Sequence, residues 1–393
     1  MSETLPTPKE PTGGLHRIAV IGAGYVGLPT AALLSYFGHS VVVAERDAAK
    51  LAILAEGRSP IFEADLERYL QAGIASGKLT FSSSAAEAVK DAAFTFLCVP
   101  TPQGDDGSAD LSYVVAAARE IGPHLPTGAI VVNKSTVPVG TAHLVERESG
   151  RDDIRVVSNP EFLREGTAVA DSLKPDRIVV GSDDQEAAAA VAALFSPTGA
   201  PVVVTDATTS ETIKYASNAF LATKLSFINA VAGLAEAVGA DVKDIVLGLG
   251  YDKRIGFEFL KPGPGWGGSC LPKDTSALVK IGEDHGYDFA LLRGAIASND
   301  AQLARIVDKV VAAAGGNLDG VAVGVWGLTF KANTDDRRAS PAIDIVSRLV
   351  SLGAKVTAYD PEVPPTMSGA SDLVGVELAS DAYEAVRDVS VVV

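Results

Sequence analysis

The part of the sequence with the clearest chemical character is a glycine-rich stretch that ends in a cysteine. It reads Lys261-Pro262-Gly263-Pro264-Gly265-Trp266-Gly267-Gly268-Ser269-Cys270 and continues Leu271-Pro272-Lys273-Asp274. Glycines let backbone N–H groups come close to a ligand, and a helix that begins at Cys270 stabilises a thiolate there. Asp274 lies one helical turn further on, on the same face. We predict a nucleophilic Cys270 assisted by Asp274. The alternative is a small packing residue, and a metal site would need more Cys or His ligands nearby.

A glycine fingerprint near the N-terminus predicts a dinucleotide site. The apolar run Arg17–Ile21 leads into Gly22-Ala23-Gly24-Tyr25-Val26-Gly27, and a helical pattern then runs to Phe37. In such a βαβ unit the first glycine permits a tight turn, the second lets the backbone approach a pyrophosphate, and the third allows helix and strand to pack closely. Glu45 follows a second strand, Ser40–Ala44, where a carboxylate binds ribose hydroxyls and repels a 2′-phosphate. NAD is therefore favoured over NADP, although the adjacent Arg46 weakens that preference.

Polar loops follow three further apolar runs. Strands are predicted over Phe94–Val99, Ala129–Asn133 and Arg155–Ser158, and each is followed by a polar segment. Because ligands bind at the carboxyl ends of parallel strands, we expect these loops to share one cleft, with ordinary turn chemistry as the alternative. Cys98 lies inside the first of these strands and is expected to be a buried, inert thiol.

A long helix is predicted from Thr208 to Val238. Thr208 and Glu211 have the spacing of a capping box, and about 30 residues correspond to roughly 45 Å of helix. A helix of this length bridges domains or lines a dimer interface, here through a face of small residues that includes Ala219 and Ala222. Lys214 and Asn218 share a face at i and i+4, either as a functional pair or as a solvated one.

The C-terminal region repeats the N-terminal one. Gly38 precedes Glu45 by seven residues, and Gly353 precedes Asp360 by the same seven. The second copy begins with a strand at Val321–Val325 but lacks the glycine fingerprint, so we expect it to bind a different nucleotide. Cationic residues available for the phosphates of that nucleotide are Lys331, Arg337 and Arg338.

The composition describes an acidic chain with few cysteines. Its 393 residues are 47% hydrophobic and 21% charged, with a net charge of −16, which excludes a disordered chain and argues against a nucleic-acid or anionic-membrane surface. No apolar run reaches the roughly 20 residues of a membrane span, and Met1–Gly14 lacks a signal-peptide core. Two isolated cysteines indicate a cytoplasmic location. The sequence stops at Val393 inside a repeated strand, so we expect the native protein to be longer.

These motifs together resemble the UDP-glucose/GDP-mannose dehydrogenase family, the nucleotide-sugar 6-dehydrogenases, from about Arg17 to the end. The motifs that carry the resemblance are Gly22–Gly27, Ser135-Thr136-Val137-Pro138, Asn159-Pro160-Glu161-Phe162-Leu163, Gly267–Asp274 and Phe330-Lys331. The resemblance implies an α/β fold in which two Rossmann-like doubly wound domains are joined by a central helical domain with one long helix. Expected boundaries are a disordered tail at 1–15, an NAD domain at 16–205, a central dimerisation domain at 206–305 and a nucleotide-sugar domain at 306–393.

The resemblance also implies a role for each matching residue. Catalytic roles fall on Cys270 as nucleophile, Asp274 for proton transfer and water activation, Lys214 and Asn218 for oxyanion charge, and Thr136 and Glu161 for the catalytic water. Expected cofactor contacts are Gly22, Gly24, Tyr25, Val26, Gly27, Glu45, Arg46, Thr101, Pro102, Thr136, Glu165 and Arg338. Expected substrate contacts are Glu161, Leu163, Lys214, Asn218, Arg254, Phe259, Leu260, Lys261, Gly267, Phe330 and Lys331. Residues 259–261 are expected as a strand along the sugar nucleotide, and Arg254 is expected to reach a neighbouring subunit's substrate.

A nicotinamide cofactor and a cysteine nucleophile together indicate a four-electron oxidation. A thiolate traps an aldehyde as a thiohemiacetal, a further oxidation gives a thioester, and water releases an acid. UDP-glucose is the expected substrate, because Ser269 before the cysteine is typical of the UDP-glucose and GDP-mannose branches; TDP-glucose and GDP-mannose stay open. We expect a homodimer or larger, with no nucleic-acid, membrane or metal partner. A non-catalytic regulator that binds NAD and a nucleotide sugar is the alternative class, which the presence of Cys270, Lys214 and Asp274 disfavours.

Overall fold

The computed structural model describes residues 5–393 of the chain. The chain forms two compact units, Met1–Tyr215 and Ala216–Val393, and the boundary between them falls inside one long helix. Each unit contains its own sheet, of eight strands in the first and four in the second.

The sheet of the first unit has the strand order of a doubly wound domain. Its strands are β1 (Arg17–Ile21), β2 (Ser40–Ala44), β3 (Leu79–Ser82), β4 (Phe94–Leu97), β5 (Ile130–Asn133), β6 (Arg155–Ser158), β7 (Ile178–Gly181) and β8 (Val202–Thr205). They lie in the order β3-β2-β1-β4-β5-β6-β7-β8. The first six strands are parallel, whereas β7 is antiparallel to β6 and parallel to β8. This places the carboxyl ends of β1, β2, β4, β5 and β6 at one edge of the sheet.

Helices cover both faces of this sheet. They are α1 (Gly27–Tyr36), α2 (Ala48–Ala55), α3 (Leu66–Ala75), α4 (Ala85–Val89), α5 (Ser112–Ile121), α6 (Thr141–Ser149), α7 (Ala168–Leu173) and α8 (Gln185–Leu194), with short 3-10 turns at Gly122–His124 and Ser196–Thr198. Strand side chains alternate between two hydrophobic clusters, Ile18 and Val20 in one and Ala19 and Ile21 in the other. Because both faces are buried, these strands appear in the sequence as unbroken apolar runs.

The N-terminal segment contacts the first unit where the structure describes it. The Tyr36 hydroxyl donates to Pro6 O at 2.6 Å, Thr12 N donates to Ser196 Oγ at 2.9 Å, and Leu5 packs against the core. These contacts differ from the disordered tail expected at 1–15. Residues 1–4 lie outside the described residues.

The second unit combines helices with a smaller parallel sheet. Its helices are α9 (Ala207–Val238), which leads in from the first unit, α10 (Val242–Gly250), α11 (Leu271–Asp284), α12 (Ala290–Ala313) and α13 (Pro341–Ser351), with 3-10 turns at Pro365–Met367 and Glu384–Val386. Its strands are β9 (Ala322–Trp326), β10 (Lys355–Tyr359), β11 (Val376–Leu378) and β12 (Val391–Val392), in the order β11-β10-β9-β12. All are parallel. A buried cluster that includes Leu303, Val307, Ile345 and Leu349 packs α12 and α13 against this sheet.

The internal repeat predicted from the sequence is present in the structure. The order β11-β10-β9-β12 reproduces β3-β2-β1-β4 of the first unit. Gly22 N donates to Ala44 O at 2.9 Å, and Gly327 N donates to Tyr359 O at the same distance. In both copies, therefore, a glycine turns the chain directly after the central strand.

The start of α9 differs from the predicted capping box. Asp206 Oδ1 accepts from Thr209 N at 2.8 Å and Asp206 Oδ2 accepts from the Thr209 hydroxyl at 2.7 Å, so Asp206 caps the helix. Thr208 lies inside the helix. The Glu211 carboxylate instead accepts hydrogen bonds from Gly140 N and Ala142 N, at the start of a different helix, α6.

No uninterrupted apolar run in α9 reaches about 18–20 residues, because Lys224 and other polar residues interrupt it, but the helix as a whole is rich in apolar residues. Among residues 5–393, α9 is long and apolar enough to cross a membrane by length and composition. Within the second unit, however, Ile228 is fully buried, the Ser226 hydroxyl donates to Ala295 O at 2.7 Å, and Asn229 Oδ1 accepts from Gly263 N at 2.8 Å. These contacts pack part of the helix against the protein, and 28% of its most apolar 18-residue stretch is buried.

Candidate active site

The turn after β1 has the shape that a dinucleotide pyrophosphate requires. A Cβ on Gly22, whose φ is +105°, would lie 2.6 Å from Cys98 O, and a Cβ on Gly27 would lie 1.9 Å from Gly22 O. A Cβ on Gly24 would meet nothing within 4 Å in the described part of the chain. Gly22 and Gly27 are thus required by packing, whereas the space at Gly24 is open for a ligand. Half-buried Tyr25 and Val26 complete the turn into the N-terminus of α1, where free N–H groups favour phosphate.

Glu45 extends back over this turn from the end of β2. Its Oε2 accepts from Ala23 N at 3.2 Å, and its Oε1 accepts from the backbone N–H groups of Arg46 and Asp47. The Arg46 guanidinium is paired with the Glu120 carboxylate. A carboxylate beside the glycine turn and an arginine already held by an acid together fit NAD better than NADP.

The loops after β4 and β5 are tied to each other. The Thr101 hydroxyl donates to Thr136 O at 2.9 Å, and the Ser135 hydroxyl donates to Val99 O at 2.7 Å. Exposed Pro102 continues the first loop and accepts from Asp110 N. Cys98 is buried, and burial raises its thiol pKa to about 12, which agrees with the inert thiol expected from the sequence. The predicted cofactor contacts Thr101 and Thr136 therefore lie together.

A buried ion pair joins α9 to the loop after β6. Lys214 Nζ lies 2.8 Å from Glu161 Oε1, and these side chains are only 4% and 7% exposed. Glu161 Oε2 also accepts from Leu163 N at 2.6 Å. Burial opposes ionisation of Glu161, but the Lys214 ammonium and these hydrogen bonds outweigh it, so the pKa of Glu161 is lowered. Glu161 is therefore held as a carboxylate. Glu165 follows in the turn before α7.

Lys134 is a second buried cation that the site predictions omitted. Its Nζ donates to Asn159 Oδ1 at 3.0 Å, and Asn159 in turn donates to Val179 O. Burial lowers the pKa of Lys134. The signal available in the sequence was a lysine at the carboxyl end of an apolar strand, where a solvated side chain is not expected.

In the second unit, Cys270 lies at the N-terminus of α11. It is exposed, its Sγ is 3.6 Å from Ser269 Oγ, and Leu271 begins the helix. The predicted helix start is thus confirmed to within one residue. A thiol in this place faces solvent and receives the favourable field of the helix N-terminus.

Asp274 lies one turn below Cys270 and is fully buried. Its Oδ2 accepts from Asn218 Nδ2 at 2.5 Å, and its Oδ1 accepts from Lys273 Nζ at 2.5 Å. Its backbone N–H donates to Cys270 O at 2.9 Å. Hydrogen bonds therefore link Asp274 to both Cys270 and Asn218. Lys273 is a further partner of Asp274 that the site predictions omitted.

The glycine-rich loop is held by polar side chains from two helices. Asn299 of α12 accepts from Trp266 N at 2.8 Å and donates to Trp266 O at 3.0 Å. The Trp266 indole N–H donates to Ser226 Oγ of α9 at 2.8 Å, and Gly263 N donates to Asn229 of the same helix. Side chains of α9 and α12 thereby fix the chain that presents Cys270.

The C-terminal sheet contributes the next contacts to this loop. A Cβ on Gly267 would lie 2.0 Å from Ala339 O, and one on Gly268 would lie 2.7 Å from the Phe330 ring. Lys331 Nζ lies 5.7 Å from the centroid of that same ring. The predicted substrate contacts Gly267, Phe330 and Lys331 are therefore close together.

The segment 259–261 differs from its prediction as a strand. Within the described chain it is irregular, and Phe259 has a φ of +59°. A left-handed residue breaks the extended backbone, and Pro262 cannot donate to a strand ladder. Leu260 is buried and Lys261 exposed.

Two of the predicted arginines, Arg254 and Arg338, are exposed. Arg254, 88% exposed, pairs with Asp252, and Arg338, 61% exposed, pairs with Asp336. Among residues 5–393 no group of three or more His, Cys, Asp or Glu side chains is arranged to hold a metal ion. A dinucleotide turn in the first unit is the group that an NAD-dependent dehydrogenase requires, and the second unit adds an exposed thiol at a helix N-terminus.

Family models match most of the chain in the same order. They are the NAD binding domain of the UDP-glucose/GDP-mannose dehydrogenase family over residues 16–199, its central domain over 208–301 and its UDP binding domain over 324–393. The chain belongs to the UDP-glucose/GDP-mannose dehydrogenase family and is an NAD-dependent nucleotide-sugar dehydrogenase.

Individual relatives agree with the family models. A UDP-glucose 6-dehydrogenase of Rhizobium meliloti (strain 1021) is 48% identical over 388 residues, which cover 96% of this chain and 88% of the relative. UDP-glucose 6-dehydrogenase TuaD of Bacillus subtilis (strain 168) is 45% identical over 381 residues, covering 95% and 82%. The structure of a UDP-glucose dehydrogenase from Pyrobaculum islandicum superposes with a TM-score of 0.92 at 38% identity, covering 99% and 91%. The fold class predicted from the sequence is confirmed.

The glycine turn gives a paired prediction. Gly27→Ala should lower the free energy of unfolding by about 1–3 kcal/mol, because its Cβ collides with Gly22 O. Gly24→Ala should leave that free energy nearly unchanged yet weaken NADH binding about tenfold, because its Cβ occupies the ligand space. Chemical denaturation and NADH fluorescence titration measure both effects. Wild-type NADH affinity in Gly24→Ala would show that the pyrophosphate lies elsewhere.

The buried ion pair predicts a pH-dependent stability. Because the folded pKa of Glu161 is lowered, its contribution is present above its unfolded pKa and is lost as pH falls through the folded value. Lys214→Met leaves the Glu161 carboxylate buried without its cation and should cost about 3–5 kcal/mol at neutral pH. That deficit should shrink in acid, where Glu161 takes up a proton.

Denaturation midpoints at neutral and acidic pH test this prediction. The matched control is Lys90→Met, which breaks the exposed Lys90–Glu87 pair and should change the midpoint little. An equal deficit at both pH values would mean that the cost comes from lost packing and not from the buried charge.

Proposed function

We propose that the enzyme oxidises the C6 alcohol of UDP-glucose to the carboxylic acid, giving UDP-glucuronate and two NADH. The observation that carries the covalent part of this proposal is the Cys270 and Asp274 arrangement at the start of α11. An exposed thiol stands at a helix N-terminus, one turn above a fully buried carboxylate that Asn218 and Lys273 orient. UDP-glucose is the substrate named for the similar proteins from Rhizobium meliloti and Bacillus subtilis.

The first unit supplies the groups for the first oxidation. The Gly22–Gly27 turn and Glu45 would hold NAD, which would supply the hydride acceptor. Lys214, paired with Glu161, stabilises negative charge on the sugar oxygen as the hydroxyl proton passes to bound water. Thr136 and Glu161 hold the water and proton network. Further proposed cofactor contacts are Tyr25, Val26, Arg46, Thr101, Pro102, Glu165 and Arg338.

The second unit supplies the groups for the second oxidation and for hydrolysis. The Cys270 thiolate adds to the aldehyde carbon, forming a C–S bond and an alkoxide that takes up a proton. Loss of a hydride from that carbon and of the hydroxyl proton gives a thioester. Asp274 then removes a proton from water as it attacks, and the thiolate leaves. In total, one alcohol and one water become one carboxylic acid, with two hydrides transferred to two NAD and two protons released.

The nucleotide part of the substrate is assigned to the C-terminal domain. The model that matches residues 324–393 is described as UDP binding. Phe330 and Lys331, next to the cysteine loop, contact the diphosphate, and Leu163, Phe259, Leu260, Lys261 and Gly267 line the sugar nucleotide. Arg254, which is exposed, extends to a neighbouring subunit. TDP-glucose and GDP-mannose are the competing substrates in the test below.

Cys270→Ser tests the covalent mechanism. A serine hydroxyl ionises far less readily than a thiol, so turnover should fall about 10³-fold or more. Asp274→Asn should instead slow hydrolysis, so that an adduct on Cys270 accumulates and adds mass to the intact protein. NADH absorbance is followed with UDP-glucose, TDP-glucose and GDP-mannose, and the acid product is quantified. One NADH per sugar in the wild type, or near-normal turnover in Cys270→Ser, would leave a simple alcohol dehydrogenase.

The assembly is proposed to be a dimer or larger, built on α9. Only part of the small face expected from the sequence is available, because Ala219 and Ala222 are buried within the chain, whereas Ala230 is exposed and Ala232 half-buried. The exposed face carries Phe220, Phe227 and Leu234, which are 67%, 55% and 63% exposed. Their spacing of seven residues places them on one side of the helix, and a row of exposed large apolar side chains is typical of a protein interface.

Sedimentation at micromolar concentration tests this interface. Replacing Phe220 and Phe227 together by aspartate should convert the assembly to monomers, because two charges would be buried against an apolar surface. Tyr383→Asp, at a residue 83% exposed in the C-terminal domain, is the control and should leave the assembly intact. A monomeric wild type would refute both the dimer and the role of Arg254 in a neighbouring subunit.

A cytoplasmic location is proposed on the state of the cysteines. Cys98 and Cys270 are both free thiols, and a nucleophilic thiol requires a reducing compartment to persist.

A further inference from the structure

Glu211 is a buried acid that the proposed mechanism does not use. It is 2% exposed, and its carboxylate receives two backbone hydrogen bonds from the start of α6: Gly140 N at 2.7 Å on Oε2 and Ala142 N at 2.9 Å on Oε1. Gly140, with a φ of +91°, precedes the first residue of α6 and has no side chain with which to cap the helix. Glu211 therefore supplies from α9 the cap that the local sequence lacks.

The chain that Glu211 holds contains Thr136. Only Val137, Pro138 and Val139 separate Thr136 from Gly140. At its other end this loop is fixed by the Thr101 hydroxyl on Thr136 O and by the Ser135 hydroxyl on Val99 O. Glu211 thus adds a third contact that fixes the loop containing Thr136.

The helix from which Glu211 extends also carries Lys214. The two residues are three apart in α9 and so lie on neighbouring positions of one face. Lys214 is paired with Glu161 at 2.8 Å on the loop after β6. One face of one helix therefore fixes both the loop after β5 and the loop after β6.

We infer that Glu211 is a positioning residue, whose carboxylate sets the place of Thr136 relative to the Lys214–Glu161 pair by tying α6 to α9. This inference rests on the proposed function, because it is the proposed work of Thr136 and Lys214 that needs their relative position. Burial raises the pKa of Glu211 to about 7, although its backbone hydrogen bonds and the nearby His143 act to lower that pKa. Assays should therefore be run at about pH 8.5, where the carboxylate is ionised.

Two variants measure the effect of this contact. Glu211→Ala removes both acceptors and should lower kcat about 30- to 100-fold, the scale of a misplaced catalytic group. The KM for UDP-glucose should change less than about threefold, because the nucleotide is assigned to the C-terminal domain. Glu211→Gln keeps one acceptor oxygen and should recover about a tenth or more of wild-type kcat. NADH affinity, read by fluorescence, should fall in the same order, and the amides of Gly140 and Ala142 should exchange faster with solvent.

The matched control is Asp184→Asn, which changes a carboxylate to an amide at the N-terminus of α8 in the same unit. Asp184 Oδ1 accepts from Ala187 N at 2.9 Å and its Oδ2 pairs with Arg155, so removing its charge should lower thermal stability modestly but leave kcat unchanged. If Glu211→Ala does not fold, Glu211→Gln decides by the same kcat, KM and NADH readouts. Glu211 variants that lose thermal stability but keep kcat and NADH affinity within twofold would overturn the inference and leave Glu211 as a structural cap. A wild type that forms no sugar acid would instead overturn the proposed function.

Discussion

A charged or strongly polar group that leaves water must find a partner inside the protein, and this constraint organises α9. Glu211, Lys214 and Asn218 follow one another at i, i+3 and i+7 and are 2%, 4% and 8% exposed. In the first unit Glu211 holds the start of α6 and Lys214 holds Glu161; in the second unit Asn218 holds Asp274. Each partner stands at a loop or helix end that carries proposed chemistry. The cost of burying these groups is therefore offset only when those segments are in place, which couples stability to the arrangement of the site.

The sequence is most informative where structure is decided locally. The bounds of β1, β2 and β6 agree with the predicted runs to the residue, because strands buried on both faces are unbroken apolar segments between polar turns. The glycine turn and the start of α11 are likewise local, since the tight turn needs Gly22 and α11 begins directly after Cys270 with a proline in its first turn. Among the candidate site residues, the relative position of Cys270 and Asp274 was predictable for the same reason: they are one turn apart at the start of a single helix.

Contacts between distant segments leave no such pattern. The sequence predicts a capping box between Thr208 and Glu211, yet the Glu211 carboxylate accepts from Ala142 N, 69 residues away. Trp266 is held by Asn299, 33 residues further on, and Lys134 by Asn159, 25 residues on. Asp206, and not Thr208, caps the start of α9, because its carboxylate accepts from both the backbone N–H and the hydroxyl of Thr209. The folded geometry determines which partner a buried polar group contacts. The sequence therefore shows only that a partner is needed, not which residue it is.

The two copies of the nucleotide fold show how one turn can keep its shape and change its ligand. In the first copy Glu45 accepts from Ala23 N, and the next residue, Gly24, leaves open space above the turn. In the second copy Asp360 stands in the place of Glu45, and its Oδ2 accepts from Leu328 N, Thr329 N and the Thr329 hydroxyl.

Thr329 lies two residues after Gly327, as Gly24 lies two residues after Gly22, so Thr329 corresponds to Gly24. The second copy therefore has a side chain at the position where the first copy has open space. Burial opposes ionisation of Asp360, but these donors outweigh it and lower its pKa, so its lone pairs are committed to the protein. A pyrophosphate therefore has less room on the second turn than on the first, where we propose that NAD binds. A nucleotide bound by the second copy must be held by side chains around the turn, which is consistent with a UDP binding domain that follows an NAD binding domain of the same fold.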